Sequence, residues 1–156
     1  MGFDNCFGCG KYNPYGLKLT FENKDGVLFA EFIPQPQHGG WPEIVHGGIV
    51  STVLDEAIGW AAHDNGLGVV TGKMEVRFHR QLRVGERTVV SGWLTEQRGR
   101  RVKAEARLVH ENGTLVAEAK ALLLRLSEAE AIELARQADM EQPLDQRLKA
   151  DVSSAS

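Results

Sequence analysis

His46-Gly47-Gly48-Ile49-Val50-Ser51-Thr52-Val53-Leu54-Asp55-Glu56-Ala57-Ile58-Gly59-Trp60 is the stretch on which the reading of this chain turns. At about 100° per residue the run sorts into two faces, with Ile49, Val50, Val53, Leu54, Ala57, Trp60 and Ala61 on one broad apolar side. Opposite them lies a narrow stripe of small residues, Gly48, Ser51, Gly59 and Ala62, interrupted by one acid, Asp55. Another backbone or a ligand can therefore come close to Asp55. The first N–H groups of a helix have no intrahelical acceptor and carry partial positive charge from the aligned peptide dipoles. Glycines at that mouth let a ligand oxygen approach them with no Cβ in the way.

At a rise of about 1.5 Å per residue, the Gly47 N–H and Asp55 lie roughly 12 Å apart along one helix. They cannot touch the same small group. Two copies packed antiparallel about a two-fold axis bring the mouth of one near the acid of the other, so a homodimer with shared sites is expected. The plainer alternative is an unusual helix cap with Asp55 as a chance interior acid. The chain carries its own control: His38-Gly39-Gly40 repeats the tripeptide, but Trp41-Pro42-Glu43 follows it, so His38 is assigned to a loop.

The 156 residues fit one ordinary domain, and 42% hydrophobic with 25% charged residues is the balance of a water-soluble globular chain. Eighteen basic against 21 acidic residues, net -3, give no electrostatic case for nucleic acid. No apolar run approaches the ~20 residues that cross a bilayer, and Met1-Gly2-Phe3-Asp4-Asn5 lacks the pattern of a signal peptide. No membrane association and a cytoplasmic location are expected. Two cysteines, Cys6 and Cys9, are too few for a disulfide-stapled scaffold.

Around the helix the pattern is one of strands. Residues 17–21 and 27–32 flank Asn23-Lys24-Asp25-Gly26, a hairpin signal. A Pro, Gln and Gly-rich loop over 34–44 leads to the helix at 46–64, which should end near Asn65-Gly66. Val70, Gly72, Met74, Val76 and Phe78 alternate with Thr71, Lys73, Glu75, Arg77 and His79, as in a strand with one buried face. Runs 87–96, 101–111 and 114–126 follow, the last two separated by Asn112-Gly113, giving four consecutive antiparallel strands. The class is α+β, one long helix against one antiparallel sheet. Ser127 to Glu130 reads as a capping box opening a short helix to about Met140, and 145–156 as a frayed polar tail. The expected division is a sheet-and-helix domain over 1–126 and a C-terminal helix with flexible tail over 127–156.

At this point the chain resembles the hotdog-fold thioesterases, in the branch of phenylacetyl-CoA-type and related acyl-CoA thioesterases. The resemblance rests on His46-Gly47-Gly48 with Asp55, on Val70-Thr71, and on Cys6-Phe7-Gly8-Cys9-Gly10 with Asn13-Pro14-Tyr15-Gly16-Leu17. It implies a sheet wrapped around the helix, dimers joined edge to edge and often tetramers, and hydrolysis of acyl-CoA thioesters without a cofactor. By position, the Gly47 N–H, with Gly48, polarises the thioester carbonyl. Asp55 of the neighbouring subunit is base or nucleophile, His46 shapes the mouth, and Thr71 positions water or the acyl group. Donors aimed where negative charge develops need no reorganisation in the transition state, and a carboxylate beside an apolar pocket is a competent base. Two other readings stand beside it: a non-catalytic acyl-CoA-binding module, and a hydratase or dehydratase, which needs an acid/base pair that His46 with Asp55 or Glu56 is poorly spaced to supply.

Substrate contacts are expected from Ser51 and Gly59 on the small stripe, and phosphate contacts from Arg98 and Arg100 at a strand turn or from Arg77 and Arg80 after Thr71. A solvated hairpin tip explains Arg98, Arg100, Arg101 and Lys103 equally well. Trp41 and Pro42 are placed at the border of an acyl channel, and Trp60 in the core. Cys6-x-x-Cys9 lacks a second ligand pair, so no metal is expected and the cysteines are assigned to an N-terminal turn.

Overall fold

The apolar face of the helix, at Ala57, meets a trough of small residues across the sheet. In the computed structural model, which describes residues 3–155, the strands are β1 (Glu22–Lys24), β2 (Val27–Phe32), β3 (Val69–Phe78), β4 (Thr88–Arg98), β5 (Arg101–His110) and β6 (Leu115–Arg125). They form one antiparallel sheet in the order β1-β2-β4-β5-β6-β3. Directly paired residues project to the same face, so Leu28, Gly92, Ala106, Ala119 and Val76 make one row across five strands. The helix α1 (Gly47–Asp64) lies on that face, with Val53, Leu54, Ala57, Ile58 and Ala61 fully buried. At Gly92 the approach is backbone to backbone: a Cβ there would stand 2.4 Å from the Ala57 carbonyl oxygen.

Several expectations are corrected here. The first strand is not 17–21 but Glu22–Lys24. Leu17 and Leu19 donate instead to the Phe7 and Gly8 carbonyls, and Lys18 between them is left-handed with φ 58°. The hairpin turn itself is as expected, with Asp25 and Gly26 both at positive φ, 54° and 85°. The four later strands are not a continuous meander: β3 pairs with β6 at the edge, and β4 pairs with β2. On α1, Ile58 and Ala62 are buried, and Trp60 is half-buried against Phe21, with ring centroids 5.9 Å apart.

The alternation in β3 also fails, for a local reason. The register shifts between Thr71 and Lys73, so Gly72 is an extra residue in the strand. That bulge inverts the phase. Met74, Val76 and Phe78 face the helix side, and so does Thr71, paired with buried Leu123, whereas Val70, paired with Leu124, turns outward and is exposed. Phe78 is exposed as well, because an edge strand has a neighbour on one side only.

The loop before α1 is held by a short 3-10 turn, Pro36–His38. His38 is buried against Phe32, and its Nδ1 accepts the Gln35 N–H at 2.9 Å. Its carbonyl accepts the His46 N–H at 2.8 Å, and Gly40 packs so tightly that a Cβ would stand 3.2 Å from the His46 Cα. Glu43 adopts a left-handed backbone, φ 64°, and the Val45 N–H donates to the Leu82 carbonyl. The repeated tripeptide is thus the seat on which the second copy rests. Gly66, at φ 75°, ends α1 where expected, with the Leu67 N–H returning to the Ala62 carbonyl.

Thr20–Leu126 make one compact unit, and the described residues before and after them make a second. The segment up to Leu19, expected to go with the sheet, groups with the C-terminal part. In that second unit the Ser127–Glu130 capping box is formed in both directions and opens α2 (Glu128–Met140). The tail is ordered rather than frayed: Leu144–Ser154 form a further helix, α3.

Two outcomes follow. Gly92→Ala forces α1 off the sheet and is expected to destabilise by about 1–3 kcal/mol in denaturant unfolding; an unchanged midpoint contradicts the direct packing. Burial holds the His38 pKa below its ordinary value of 6.5. The unfolded chain therefore takes up this proton first, and stability is lost as pH falls below the ordinary histidine range. A proton on Nδ1 also displaces the Gln35 N–H. Melting temperature measured against pH should fall less steeply in that range for His38→Gln than for the wild type.

Candidate active site at the helix mouth and the edge strand

Four N–H groups at the start of α1 need acceptors, and three find them locally. The His46 side chain caps the helix, its Nδ1 accepting the Gly48 N–H at 2.8 Å. The His46 carbonyl accepts the Ile49 N–H at 2.9 Å and the Val50 N–H at 3.2 Å. The Gly47 N–H, at the first helical position, has no intrahelical acceptor and stands in the field of the helix dipole. The mouth therefore offers one outward donor at Gly47, while Gly48, expected to share the role, is already engaged by the histidine. With Nδ1 accepting, the imidazole proton is on Nε2.

This donor opens on a groove of about 520 Å³ lined by Gly40, Trp41, Pro42, Ile44, Val45, His46 and Gly47. Trp41 stands at its rim, 80% exposed, an amphipathic surface with nothing packed over it. The Phe78 ring lies on the other side of the mouth, 3.6 Å from where a Gly47 Cβ would be. The walls are largely apolar and aromatic, and Gly47 contributes a backbone N–H to them.

Two turns along α1, Asp55 is half-buried, and its Oδ1 accepts the Thr71 hydroxyl at 2.8 Å. The Gly72 bulge makes this contact, since a regular strand would send Thr71 to the opposite face. Accepting one hydrogen bond leaves the carboxylate with further lone pairs for a water or a reacting carbon. Gly59, one turn on, has open space where a Cβ would stand. Ser51 is turned inward to the helix, donating to the Gly47 carbonyl at 2.9 Å, and Thr52 does the same to Gly48.

The arginines separate into two places. Arg77 registers with Glu118 on the sheet face away from α1, and Arg80 follows the strand end, its N–H on the Val116 carbonyl. Arg98 is paired with Glu96 at 3.5 Å, and Lys103 with the same acid at 2.9 Å. Arg100 donates from Nε to the Arg125 carbonyl at 3.4 Å, and Arg125 registers with Val69 at the start of β3. Hence Arg100 and Arg125 approach the Thr71 end of the edge strand, and Arg77 does not approach the mouth.

One chain therefore holds two groupings on the same helix: Gly47 with Phe78, and Asp55 with Thr71. Phe78 and His38 were not singled out as site residues by the sequence. A glycine inside an apolar strand is a bulge signal and was the available clue to Thr71.

Comparison with known proteins fits this geometry. A family model described as the thioesterase superfamily matches residues 43–117, the span of the mouth, Asp55 and Thr71. A search of curated protein sequences gives no match. Among solved structures, a thioesterase superfamily protein is 23% identical, with TM-score 0.70, over 74% of this chain and 60% of its own length. A hypothetical thioesterase from Streptococcus pneumoniae TIGR4, solved with coenzyme A, is 16% identical, with TM-score 0.66, over 70% of this chain and 86% of its own. The E. coli PaaI protein, from the phenylacetic acid degradation operon, is 19% identical, with TM-score 0.66, over 70% and 84%. The chain thus spans about 60% of the length of the first of these and most of the other two. The match to the thioesterase superfamily model covers just under half of the chain, and the likenesses show its fold, the hotdog fold.

Proposed function

We propose that this chain is an acyl-CoA thioesterase working as a homodimer with two shared sites. The observation that carries the reading is the pairing, on one helix, of one unengaged backbone N–H at a largely apolar mouth with a hydrogen-bonded carboxylate two turns away. A thioester carbonyl against Gly47 develops negative charge that the N–H and the helix dipole stabilise without reorganisation. Asp55 then attacks directly or draws a proton from water, Thr71 fixing its orientation. The thiolate of CoA departs without a general acid. The coenzyme A and PaaI structures among the similar proteins favour this substrate class.

The edge strand supplies the symmetry. β3 has a partner on one side only, and it carries Phe78 beside Gly47 and Thr71 on Asp55. Two β3 strands pairing antiparallel about a two-fold axis at Glu75 set Met74 of one opposite Val76 of the other and, with Gly72 as an extra residue, Thr71 opposite Phe78. Each Asp55 then approaches the partner's Gly47 mouth, which closes the roughly 12 Å separation along one helix. Trp41 and Phe78 flank the acyl group in this arrangement, and Arg100 with Arg125 lie toward the nucleotide end.

Thiol release from a panel of aromatic and aliphatic acyl-CoAs tests the reading. Asp55→Ala is expected to lose activity by roughly a hundredfold or more. Gly47→Pro removes the N–H at a helix position that tolerates proline, after a residue already extended at φ -59° and ψ 133°. It should cost about a hundredfold or more with folding intact. An equal mixture of the two variants, unfolded and refolded together, should regain about a quarter of wild-type activity, because each mixed dimer keeps one intact site. No rescue refutes the shared site, and acyl-CoA binding without thiol release refutes the enzyme in favour of a binding module.

A further inference from the structure

The N-terminal segment Asp4–Leu19 contains a second piece of built geometry that thioester hydrolysis does not use. Cys6 and Cys9 are thiols, not joined in a disulfide, with their sulfurs within 4.8 Å of each other. The turn that carries them is fixed at almost every residue. The Gly8 N–H donates to the Cys6 Sγ at 3.3 Å, and the Gly10 N–H donates to the Cys6 carbonyl at 2.9 Å. Gly10 admits no side chain, since a Cβ would stand 2.4 Å from both the Asp4 oxygen and the Cys6 nitrogen.

A second strand of chain clamps the turn from outside. The Leu17 and Leu19 N–H groups donate to the Phe7 and Gly8 carbonyls at 2.8 and 3.0 Å. Gly16 passes so near that a Cβ would meet the Phe7 oxygen at 2.8 Å. Asn13 turns the chain for this return, accepting the Tyr15 N–H and donating to the Asn5 carbonyl. Lys18, in its left-handed conformation, carries its ammonium to the Gly10 and Lys11 carbonyls at 3.3 and 2.7 Å. All of these residues belong to one compact unit.

Such over-determined backbone is needed when two sulfurs must be held at a set separation. We propose that the Cys6–Cys9 turn is a dithiolate chelate for a thiophilic divalent cation of the Zn²⁺ class. Two cysteine S–H bonds break, two sulfur–metal bonds form, and two protons pass to solvent, with no change of oxidation state. A four-coordinate ion held by two sulfurs takes further ligands beyond this turn.

The test uses the full reduced chain, stripped with chelator and titrated with Co²⁺ and then Zn²⁺. One Co²⁺ per chain is expected, with intense sulfur-to-metal charge-transfer absorption that Zn²⁺ abolishes and that Cys6→Ser/Cys9→Ser lacks. On the wild type, Zn²⁺ should slow alkylation of both thiols about tenfold or more. This second readout decides the matter even where the double variant does not fold. Absence of the charge-transfer band, or equal alkylation rates with and without Zn²⁺, overturns the proposal.

Discussion

The contact on which the rest of the sheet-and-helix unit depends is the seating of α1 on the sheet at Gly92. A helix normally rides above a sheet on the side chains of both. Here the row through Gly92, Ala106 and Ala119 is cut down to hydrogen and methyl groups, and the Ala57 carbonyl reaches the strand backbone. Larger residues to either side, Val90, Leu108, Val102 and Leu123, are fully buried and fix the helix laterally. Depth and lateral position are both set by packing, so everything projecting from α1 inherits a fixed place. The mouth at one end and the carboxylate two turns later are parts of one rigid body.

What the packing does for the helix, the loop before it does for the donor. The mouth has only three residues to define it, and glycine at two of them resists definition. The chain answers by making His46 serve twice, its ring holding Gly48 and its carbonyl holding the next two N–H groups. His46 is in turn held through its own N–H by the His38 carbonyl, under a Gly40 that leaves it no space to shift. Gly47 is left as the one unengaged donor by elimination, which is how a flexible residue type comes to sit in a determined position.

Periodicity made the helix legible because 3.6-residue spacing of apolar residues survives any sheet arrangement. The Asp25-Gly26 and Asn112-Gly113 turns were legible because they need residues that accept positive φ, as Asp25, Gly26 and Gly113 do. Strand order was not, since β3, β4, β5 and β6 read as a meander and nothing local says that β3 leaves for the far edge. Its exposed Val70 and Phe78 look identical to core residues in a one-dimensional pattern. Thr71 was found through resemblance, whereas the residue alternation placed it with the outward set. The bulge at Gly72 is a one-residue event that reverses the assignments of Val70 and Thr71 before it and leaves those of Met74, Val76 and Phe78 after it unchanged. The engaged state of Gly48 was also hidden, because a histidine cap depends on a ring rotamer that no spacing encodes.

The division of the proposed site between two chains follows from the rigidity of α1 itself. A donor at its first residue and an acid at its ninth are separated by a length that no side-chain motion spans. Shortening that length within one chain would require breaking the helix whose dipole makes the donor effective. Symmetry removes the conflict, because an antiparallel neighbour reverses the order of the two groups while leaving each helix intact. The edge strand is where such a neighbour can join by backbone hydrogen bonds alone, and it already carries Thr71 and Phe78 at its two ends on the helix side of the sheet. On this view the exposed apolar surface of β3 and the separation of Gly47 from Asp55 have a single cause: the unit is built as half of a site.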